Sequence, residues 1–207
     1  MVANHFKSLF ETFIEIAQQN EQYLGDLDSL NGDGDLGITF KKVMNSMSNS
    51  LNTMEHSTDI GVMLKEGSMD IFENAASTMG TLLASGFNSA GKALKGAEKL
   101  EKAELVLFYT GFVEGIQRRG KAKLGEKTIL DVLIPVQQYL VNSSELDLKV
   151  LLTKASEVAE KAVEDTKLLK AVHGRAARYE NASEGLYDPG SVAGMLITKG
   201  FKQYFTN

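Results

Sequence analysis

Apolar residues recur three and four positions apart along most of the chain, which is the spacing of one face of an α-helix. The pattern is clear near the start, at Phe6, Leu9, Phe10, Phe13, Ile14 and Ala17, and again at Val43, Met44, Met47, Leu51 and Met54. It predicts two amphipathic helices there, a third over about residues 59–72 and a fourth over about residues 78–94.

The second half of the chain continues the helical pattern with one ambiguous segment. Residues 104–116, ELVLFYTGFVEGI, contain β-branched and aromatic residues that also suit a strand, but the length of the segment and the lack of partner strands favour a helix. Three more helices are predicted: one from near Thr128 with a kink at Pro135, one from about Leu146 to Val172, and one from Pro189 to near Tyr204. We therefore expect an all-α protein of about eight helices in a single domain, residues 1–207.

Composition narrows the class of protein. The chain has 207 residues, enough to bury a full core, and no cysteine, which excludes thiolate metal sites and disulfides. Its N-terminal segment lacks the apolar core of a signal peptide, and no apolar run approaches the roughly 20 residues that span a bilayer. The net charge of −5, with scattered Lys and Arg, argues against a nucleic-acid surface. The sequence thus predicts a cytoplasmic protein that binds neither membrane nor nucleic acid.

The segment LDSLNGDGDLGITF, residues 27–40, carries the first candidate chemistry. It combines a G-x-G-x-x-G spacing of glycines with Asp28, Asp33 and Asp35. A dinucleotide fingerprint needs a buried strand before it, which the helical pattern does not provide. An EF-hand loop needs a glycine at its sixth position and a glutamate at its twelfth, and no register of this segment supplies both.

A cation site remains as the functional interpretation of this segment. Aspartates that converge repel each other unless cations hold them together. Oxygen ligands without His or Cys suit Mg²⁺ or Ca²⁺, and Mg²⁺ completes its shell with water and substrate phosphates. Residues 37–40 lead into a helix N-terminus, which attracts anions. The segment thus predicts a metal site that in turn binds phosphate, and the alternative is an ordinary solvated turn between helices.

Two further features can be interpreted either as ordinary structural elements or as parts of a ligand site. Ser77, in ENAASTMGTLLASGF, suits the N-cap of the fourth helix. Residues 173–191, HGRAARYENASEGLYDPGS, form a long glycine-punctuated loop of the kind that is functional or disordered. Within it, Arg175 suits a surface ion pair as well as a ligand contact.

Together these segments resemble the L subunit of dihydroxyacetone kinase, the nucleotide-binding DhaL or DAK2 domain. LDSLNGDGDLGITF resembles the family signature LD-x-x-x-GDGD-x-G, and AASTMGT lies where the family has GASG. RRGKAKLGEKTILDVLIPV is similar to the family segment RG…GDKTM-x-D-x-x-x-P, and GRAARYENASEGLYDPGS to GRASYLGERS-x-GH-x-DPGA. The four segments occur in the family's order and cover nearly the whole chain.

The resemblance implies an annular barrel of eight antiparallel helices, with ADP or ATP at one end and two Mg²⁺ ions between aspartates and phosphates. By matching position, the implied metal ligands are Asp28, Asp33 and Asp35. The implied nucleotide contacts are Leu36, Gly37, Ile38, Thr39, Ala76 and Ser77 at the phosphates, Gly120 and Ile129 at the adenine, and Arg175, Asp188, Pro189 and Gly190 closing over the nucleotide. No catalytic side chain beyond the metal site is implied.

The chain departs from the family pattern at three places. Leu36 stands where the family commonly has histidine, and Thr78 where a glycine would allow the closest approach of the backbone. GLYDPG replaces GHQDPG. These departures leave the metal site intact and bear on the specificity for partner and sugar.

The function that the resemblance implies is half of a kinase. The chain would carry the nucleotide and pass the γ-phosphoryl group to dihydroxyacetone, or a related small ketose, held on a separate K-type subunit. An M-type phosphohistidine protein of the phosphotransferase system would rephosphorylate the bound ADP, and free exchange of ATP is the alternative. A non-catalytic, nucleotide-loaded module that contacts a transcription regulator is the competing class of function. A homodimer is compatible with either.

Overall fold

A computed structural model describes residues 3–54, 56–178 and 183–207. In these residues the chain forms eight α-helices and no β-strand, so the predicted all-α class is confirmed. The helices are α1 (Ala3–Ser29), α2 (Leu36–Thr53), α3 (Ile60–Asn74), α4 (Thr78–Ala93), α5 (Lys102–Gly120), α6 (Leu130–Asn142), α7 (Leu148–Asp165) and α8 (Pro189–Thr206). Two short 3₁₀ helices, Thr166–Leu168 and Ala176–Arg178, lie between α7 and α8. None of the described helices is both long and apolar enough to cross a bilayer.

Four of the helices begin at a local polar side chain. Asp59, Ser77, Asp147 and Asp188 cap α3, α4, α7 and α8, and each accepts a hydrogen bond from a backbone N–H two or three residues later. Pro189 occupies the first turn of α8, where its missing N–H has no helical partner to lose. Caps of this kind act over two or three residues and therefore depend on the local sequence. The predicted starts of α3, α4 and α8 agree with the structure.

The long helix predicted from about Leu146 to Val172 is wrong at its C-terminal end. α7 ends at Asp165, and after one 3₁₀ turn the backbone is extended at Leu169. Thr166 is fully buried; its hydroxyl donates to the carbonyl of Val163 at 2.6 Å and accepts from the N–H of Asp188 at 3.3 Å. The helix thus ends beside a buried residue that bonds to the start of α8, although Leu169 continues the apolar spacing.

The chain forms two compact units. The first comprises the residues up to Gln18 and Thr39–Gly120, and the second comprises Gln19–Ile38 and Lys121–Asn207. In the first unit α4 packs against both α3 and α5. In the second unit α6, α7 and α8 pack against one another. The annular barrel and the single domain over residues 1–207 stay predictions.

The core of the first unit contains a series of ring contacts. The ring centroid of Phe87, on α4, lies 5.9 Å from that of Phe10 on α1 and 4.9 Å from that of Phe112 on α5. Phe108 stacks on Phe112 with a centroid separation of 5.4 Å, and all four rings are buried. The ambiguous segment 104–116 lies within α5 and is helical, as predicted. Its aromatic residues face this core.

Candidate functional site

The three aspartates predicted as metal ligands lie together at the junction of α1 and α2. Asp28 belongs to the last turn of α1, while Asp33 and Asp35 lie in the connection to α2. One carboxylate oxygen from each lies within 4.8 Å of the others. Asp28 is half-buried, and Asp33 and Asp35 are exposed. The sequence placed all three in a loop; Asp28 is in fact on a helix, which fixes its side chain more firmly than a loop would.

Asp28 also organises the start of α2. Its Oδ2 accepts hydrogen bonds from the backbone N–H of Asp35 at 3.1 Å and of Leu36 at 3.4 Å. Gly34 has a φ of 75°, a left-handed conformation that glycine adopts without strain, and this lets the chain reverse within a few residues. The carboxylate of α1 therefore acts as a remote N-cap for α2, and it does so from the centre of the acidic cluster.

The cluster is electrostatically unfavourable without a cation. Burial raises the pKa of the Asp28 carboxyl above its ordinary value, the charges of Asp33 and Asp35 raise it further, and the hydrogen bond from the N–H of Leu36 opposes the rise. Three carboxylates with oxygens this close offer the all-oxygen ligand set that hard divalent cations prefer. The residues present thus supply the type of ligand that suits Mg²⁺.

Arg175 lies at the same cluster. Its guanidinium forms an ion pair with the Oδ2 of Asp33 at 2.6 Å, and both side chains are substantially exposed. The structure therefore joins two residues that the resemblance assigned to different parts of the site, 142 positions apart in the sequence. Arg175 places one positive charge beside the three negative ones.

Gly37 has a packing function that the sequence did not reveal. The residue is buried in the first turn of α2, and a Cβ atom built on it would lie 1.9 Å from the carbonyl oxygen of Glu21 on α1. Any side chain there would force the two helices apart. Glycine at this position is thus explained by helix packing alone, and its approach to a phosphate stays a prediction, as do the contacts of Leu36 and Ile38.

Asp188, Pro189 and Gly190 form the start of α8. The Oδ2 of Asp188 accepts a hydrogen bond from the N–H of Ser191 at 2.6 Å. Burial raises the pKa of Asp188 to about 6; the hydrogen bonds from Ser191 and the charge of Lys127 oppose the rise, and the charge of Asp131 adds to it. The assignment of this turn to nucleotide closure stays a prediction, and its visible function is to cap α8.

The remaining predicted contacts are divided between the two units. In the first unit, Ser77 caps α4 by accepting the N–H of Gly80 at 3.0 Å, Ala76 precedes it, and Gly120 ends α5. Thr39, in the first turn of α2, is 7% exposed. In the second unit, Ile129 is 2% exposed, and its side chain faces α8 at Gly194. A part in nucleotide binding stays a prediction for these five residues.

His173 makes a contact that the sequence analysis did not predict. Its Nε2 lies 2.6 Å from Oε2 of Glu126, whose backbone carbonyl also accepts the N–H of Val172 at 3.3 Å. The hydrogen bond with His173 lowers the pKa of Glu126. This pair attaches the Arg175 segment to the loop before α6. No local signal predicts it, because the partners are 47 residues apart.

Comparison with known proteins agrees with the sequence resemblance. Residues 31–203 match the model of the DAK2 domain family. The chain is 32% identical over 185 residues to the ADP-binding subunit DhaL of the PEP-dependent dihydroxyacetone kinase of Escherichia coli, with 88% of each chain covered. It is also 32% identical to the ADP-binding subunit DhaL of the PEP-dependent dihydroxyacetone kinase 1 of Listeria innocua, with 89% of this chain and 88% of that protein covered.

Comparison with solved structures supports the fold. The dihydroxyacetone kinase from C. freundii, solved in complex with AMP-PNP and Mg²⁺, superposes with a TM-score of 0.73 at 21% identity. The match covers 95% of this chain but 33% of the C. freundii chain. At this identity the likeness establishes the helical fold.

Proposed function

The chain belongs to the DAK2 domain family, and on that premise we propose that it is the nucleotide-binding, phosphoryl-transferring subunit of a kinase for dihydroxyacetone or a related small ketose. The convergence of Asp28, Asp33 and Asp35 within 4.8 Å at the start of α2 is the observation that carries this proposal. A cluster of carboxylates repels phosphate, so this arrangement is useful for nucleotide binding when cations lie between them.

Different residues of the site would make different contacts with the nucleotide and its metal. Asp28, Asp33 and Asp35 would hold Mg²⁺, two ions in the proposed complex, and the metal when bound neutralises phosphate oxygens and orients the γ-phosphoryl group. The first-turn amides of α2, at Gly37 and Ile38, are donors that a helix leaves without internal partners, and such amides favour anions. Arg175 adds a positive charge at the edge of the cluster.

Phosphoryl transfer requires little further from this chain. The reaction depends on position and charge neutralisation more than on covalent chemistry, so no general base is needed beside the metal site. We propose that the ketose is held by a separate K-type subunit. Two relatives with 32% identity are named as ADP-binding subunits of PEP-dependent kinases, which supports rephosphorylation of bound ADP by an M-type phosphohistidine protein over free exchange of ATP.

The test of nucleotide binding is titration calorimetry on protein stripped of ligand. ADP should bind in the presence of Mg²⁺ and far more weakly in its absence. A hundredfold excess of ligand over its Kd stabilises the fold by about 2.7 kcal/mol, so the melting temperature should rise with ADP and Mg²⁺ together and much less with either alone. Equal shifts with and without the metal would contradict the bridging site.

Matched variants locate the site. Asp33→Asn and Asp35→Asn keep the side-chain size and one oxygen but remove the charge, and they should abolish Mg²⁺-dependent ADP binding while the helical fold survives. Asp26→Asn is the control, because Asp26 is an exposed carboxylate on the same helix end that accepts a hydrogen bond from Gln22 instead of joining the cluster. If the two cluster variants retain the affinity of the Asp26→Asn protein, the site is misassigned.

An activity assay separates half a kinase from a complete one. The chain alone, with ATP, Mg²⁺ and dihydroxyacetone, should leave the ketone unphosphorylated. A K-type subunit should allow a single turnover from bound ATP, and a phosphohistidine donor should make the system catalytic in ADP. Multiple turnovers by the chain alone would overturn the division of labour. ADP binding without transfer in the full mixture would favour the regulator-contacting module.

A further inference from the structure

Lys127 is a buried lysine whose ammonium group is surrounded by backbone oxygens. The residue is 4% exposed. Its Nζ donates hydrogen bonds to the carbonyl of Leu186 at 2.8 Å, to that of Leu169 at 3.2 Å, and to that of Ser183. An ammonium has three N–H donors and no acceptor, so these three carbonyls use its full capacity.

The three carbonyls belong to the two ends of one connection. Leu169 follows the 3₁₀ turn after α7, whereas Ser183 and Leu186 precede the cap of α8. Two more bonds join the same ends: the N–H of Ala171 donates to Oγ of Ser183 at 3.1 Å, and the N–H of Gly185 donates to the carbonyl of Lys167 at 3.0 Å. Lys127 therefore closes the base of the connection that carries Arg175.

The turn that presents Lys127 is itself held in an unusual conformation. Lys127 has a φ of 58°, which is uncommon for a residue with a side chain. Asp131, 5% exposed, stabilises the turn by accepting the N–H of Gly125 at 2.5 Å and that of Thr128 at 2.6 Å. Strained backbone of this kind persists where surrounding bonds over-determine it and concentrates at functional sites.

We propose that Lys127 is the positioning residue of the nucleotide site: its ammonium joins the two ends of the connection between α7 and α8 and thereby holds Arg175 at the acidic cluster. The positioning of the connection stands on the hydrogen bonds alone, and its effect on nucleotide binding rests on the proposed function. Loss of the ammonium removes one hydrogen bond from each of three buried or half-buried carbonyl groups, and the carbonyl of Ser183 keeps the N–H of Leu186 at 3.4 Å as a donor. A buried carbonyl that loses its donor is costly.

Lys121 provides a matched control in the same loop. It has a φ of 59°, nearly that of Lys127, but its side chain is exposed. Lys127→Met and Lys121→Met thus remove the same charge from the same backbone conformation, and they differ in the buried hydrogen bonds.

Hydrogen exchange tests the positioning without any nucleotide. Lys127→Met should speed the amide exchange of residues 169–178 and 183–188 while α3, α4 and α5 keep their protection, and Lys121→Met should leave both unchanged. In titration calorimetry, Lys127→Met should weaken ADP binding with Mg²⁺ by about tenfold or more, as expected when an ordered loop loses buried bonds. Unchanged exchange in the Lys127→Met protein overturns the positioning. Faster exchange with unchanged ADP affinity overturns the link to the site.

Chemical rescue distinguishes the ammonium from simple packing. The chain contains no cysteine, so Lys127→Cys introduces a single thiol that can be aminoethylated in denaturant to restore an ammonium at nearly the length of lysine. The aminoethylated protein should recover the slow exchange and the ADP affinity, whereas alkylation with a neutral group of similar size should not. Equal recovery by the neutral group overturns the proposal.

A measurement on the natural protein covers the case in which the Lys127 variants do not fold. Amine-reactive labelling of the native chain, followed by peptide mapping, should modify Lys121 readily and Lys127 only after denaturation. Equal labelling of the two lysines in the native state overturns the proposal. If the natural chain fails to bind ADP at all, the proposed function fails, while the exchange and labelling results still decide the positioning.

Discussion

The two units of the molecule bury different kinds of side chain. In the first unit, the core centres on aromatic rings, with Phe87 in contact with Phe10, Phe108 and Phe112. In the second unit the core helices are lined mainly by aliphatic residues, and the two charged residues buried in the described part of the chain, Lys127 and Asp131, both lie there.

This difference separates residues that pack helices together from residues that position loops. Apolar contacts in the first unit are non-directional, so they stabilise helix faces without specifying loop conformations. The buried charges of the second unit bond to backbone groups of loops, and hydrogen bonds depend on direction. Substitutions in the first unit should therefore act on stability, and those in the second should act on loop geometry and binding as well.

The largest effect on stability is expected from Phe87→Ala. The ring is fully buried among three others, and removing such a side chain costs about 3–5 kcal/mol through lost burial and the cavity left behind. Urea denaturation measures this loss, with Leu107→Ala as a control because Leu107 is 44% exposed on α5. A loss no greater than that of the control would show that the rings do not hold the first unit together.

A smaller, pH-dependent effect is expected from Asp188→Asn. Burial raises the pKa of Asp188 to about 6 from an ordinary 3.8, so the folded chain keeps a proton that the unfolded chain has released. The stability of the natural protein relative to the variant should then fall as pH rises from about 4 to about 6, by up to about 3 kcal/mol, and level off above that. Asparagine still offers an oxygen to the N–H of Ser191. Urea unfolding of both proteins across this pH range measures the difference, and a pH-independent difference would contradict the raised pKa of Asp188.

A loss of about 1 kcal/mol is expected from Ser77→Ala, because α4 loses the hydroxyl that accepts the N–H of Gly80. Ser77→Asp restores an acceptor and should recover the stability measured by urea denaturation. If Ser77→Asp is as unstable as Ser77→Ala, the capping bond is not the source of the loss. This result tests whether the first unit also depends on a directional bond.

The smallest effect on stability is expected from Arg175→Met, under about 1 kcal/mol, since its ion pair with Asp33 is exposed and screened by solvent. Its effect on ligand binding should be larger, and opposite for Mg²⁺ alone and for ADP with Mg²⁺. Mg²⁺ alone should bind more tightly because no guanidinium competes for Asp33, whereas ADP with Mg²⁺ should bind more weakly.

Calorimetric titrations measure both quantities: the affinity for Mg²⁺ alone and the affinity for ADP in the presence of Mg²⁺. Arg178→Met is the control, because Arg178 is an exposed arginine in the adjoining 3₁₀ turn. If Mg²⁺ affinity and ADP affinity fall together in the Arg175→Met protein, Arg175 supports the metal site instead of competing with the metal.

Local patterns in the sequence predicted most of the fold. Apolar spacing identified the helices, including a start of α3 near residue 59, and Ser77 and Pro189 indicated the starts of α4 and α8. The end of α7 was missed because Leu169 continues the apolar spacing, whereas Thr166 bonds to the N–H of Asp188, far away in the sequence. A hydrogen bond between residues 22 positions apart leaves no periodic signal.

The sequence predicted the acidic residues of the candidate site but not the residues that hold the surrounding backbone in place. Asp28, Asp33 and Asp35 stood out because they are close in sequence and the residue types suit one chemistry. Lys127 lies within a segment that resembles the family, but nothing in its neighbours indicates that its ammonium is buried. Gly37 was interpreted through a ligand, and the backbone of Glu21 explains it without one.

The sequence by itself determined what depends on neighbours along the chain: the helical class, the polar caps, and the carboxylates that can bind a cation. The tertiary structure decided what depends on residues far apart: the ion pair of Arg175 with Asp33 and the ammonium of Lys127 at the base of the connection. The physical reason is range. Helix periodicity and capping act over a few residues, whereas a buried charge is stable only where folding has brought its partners to it.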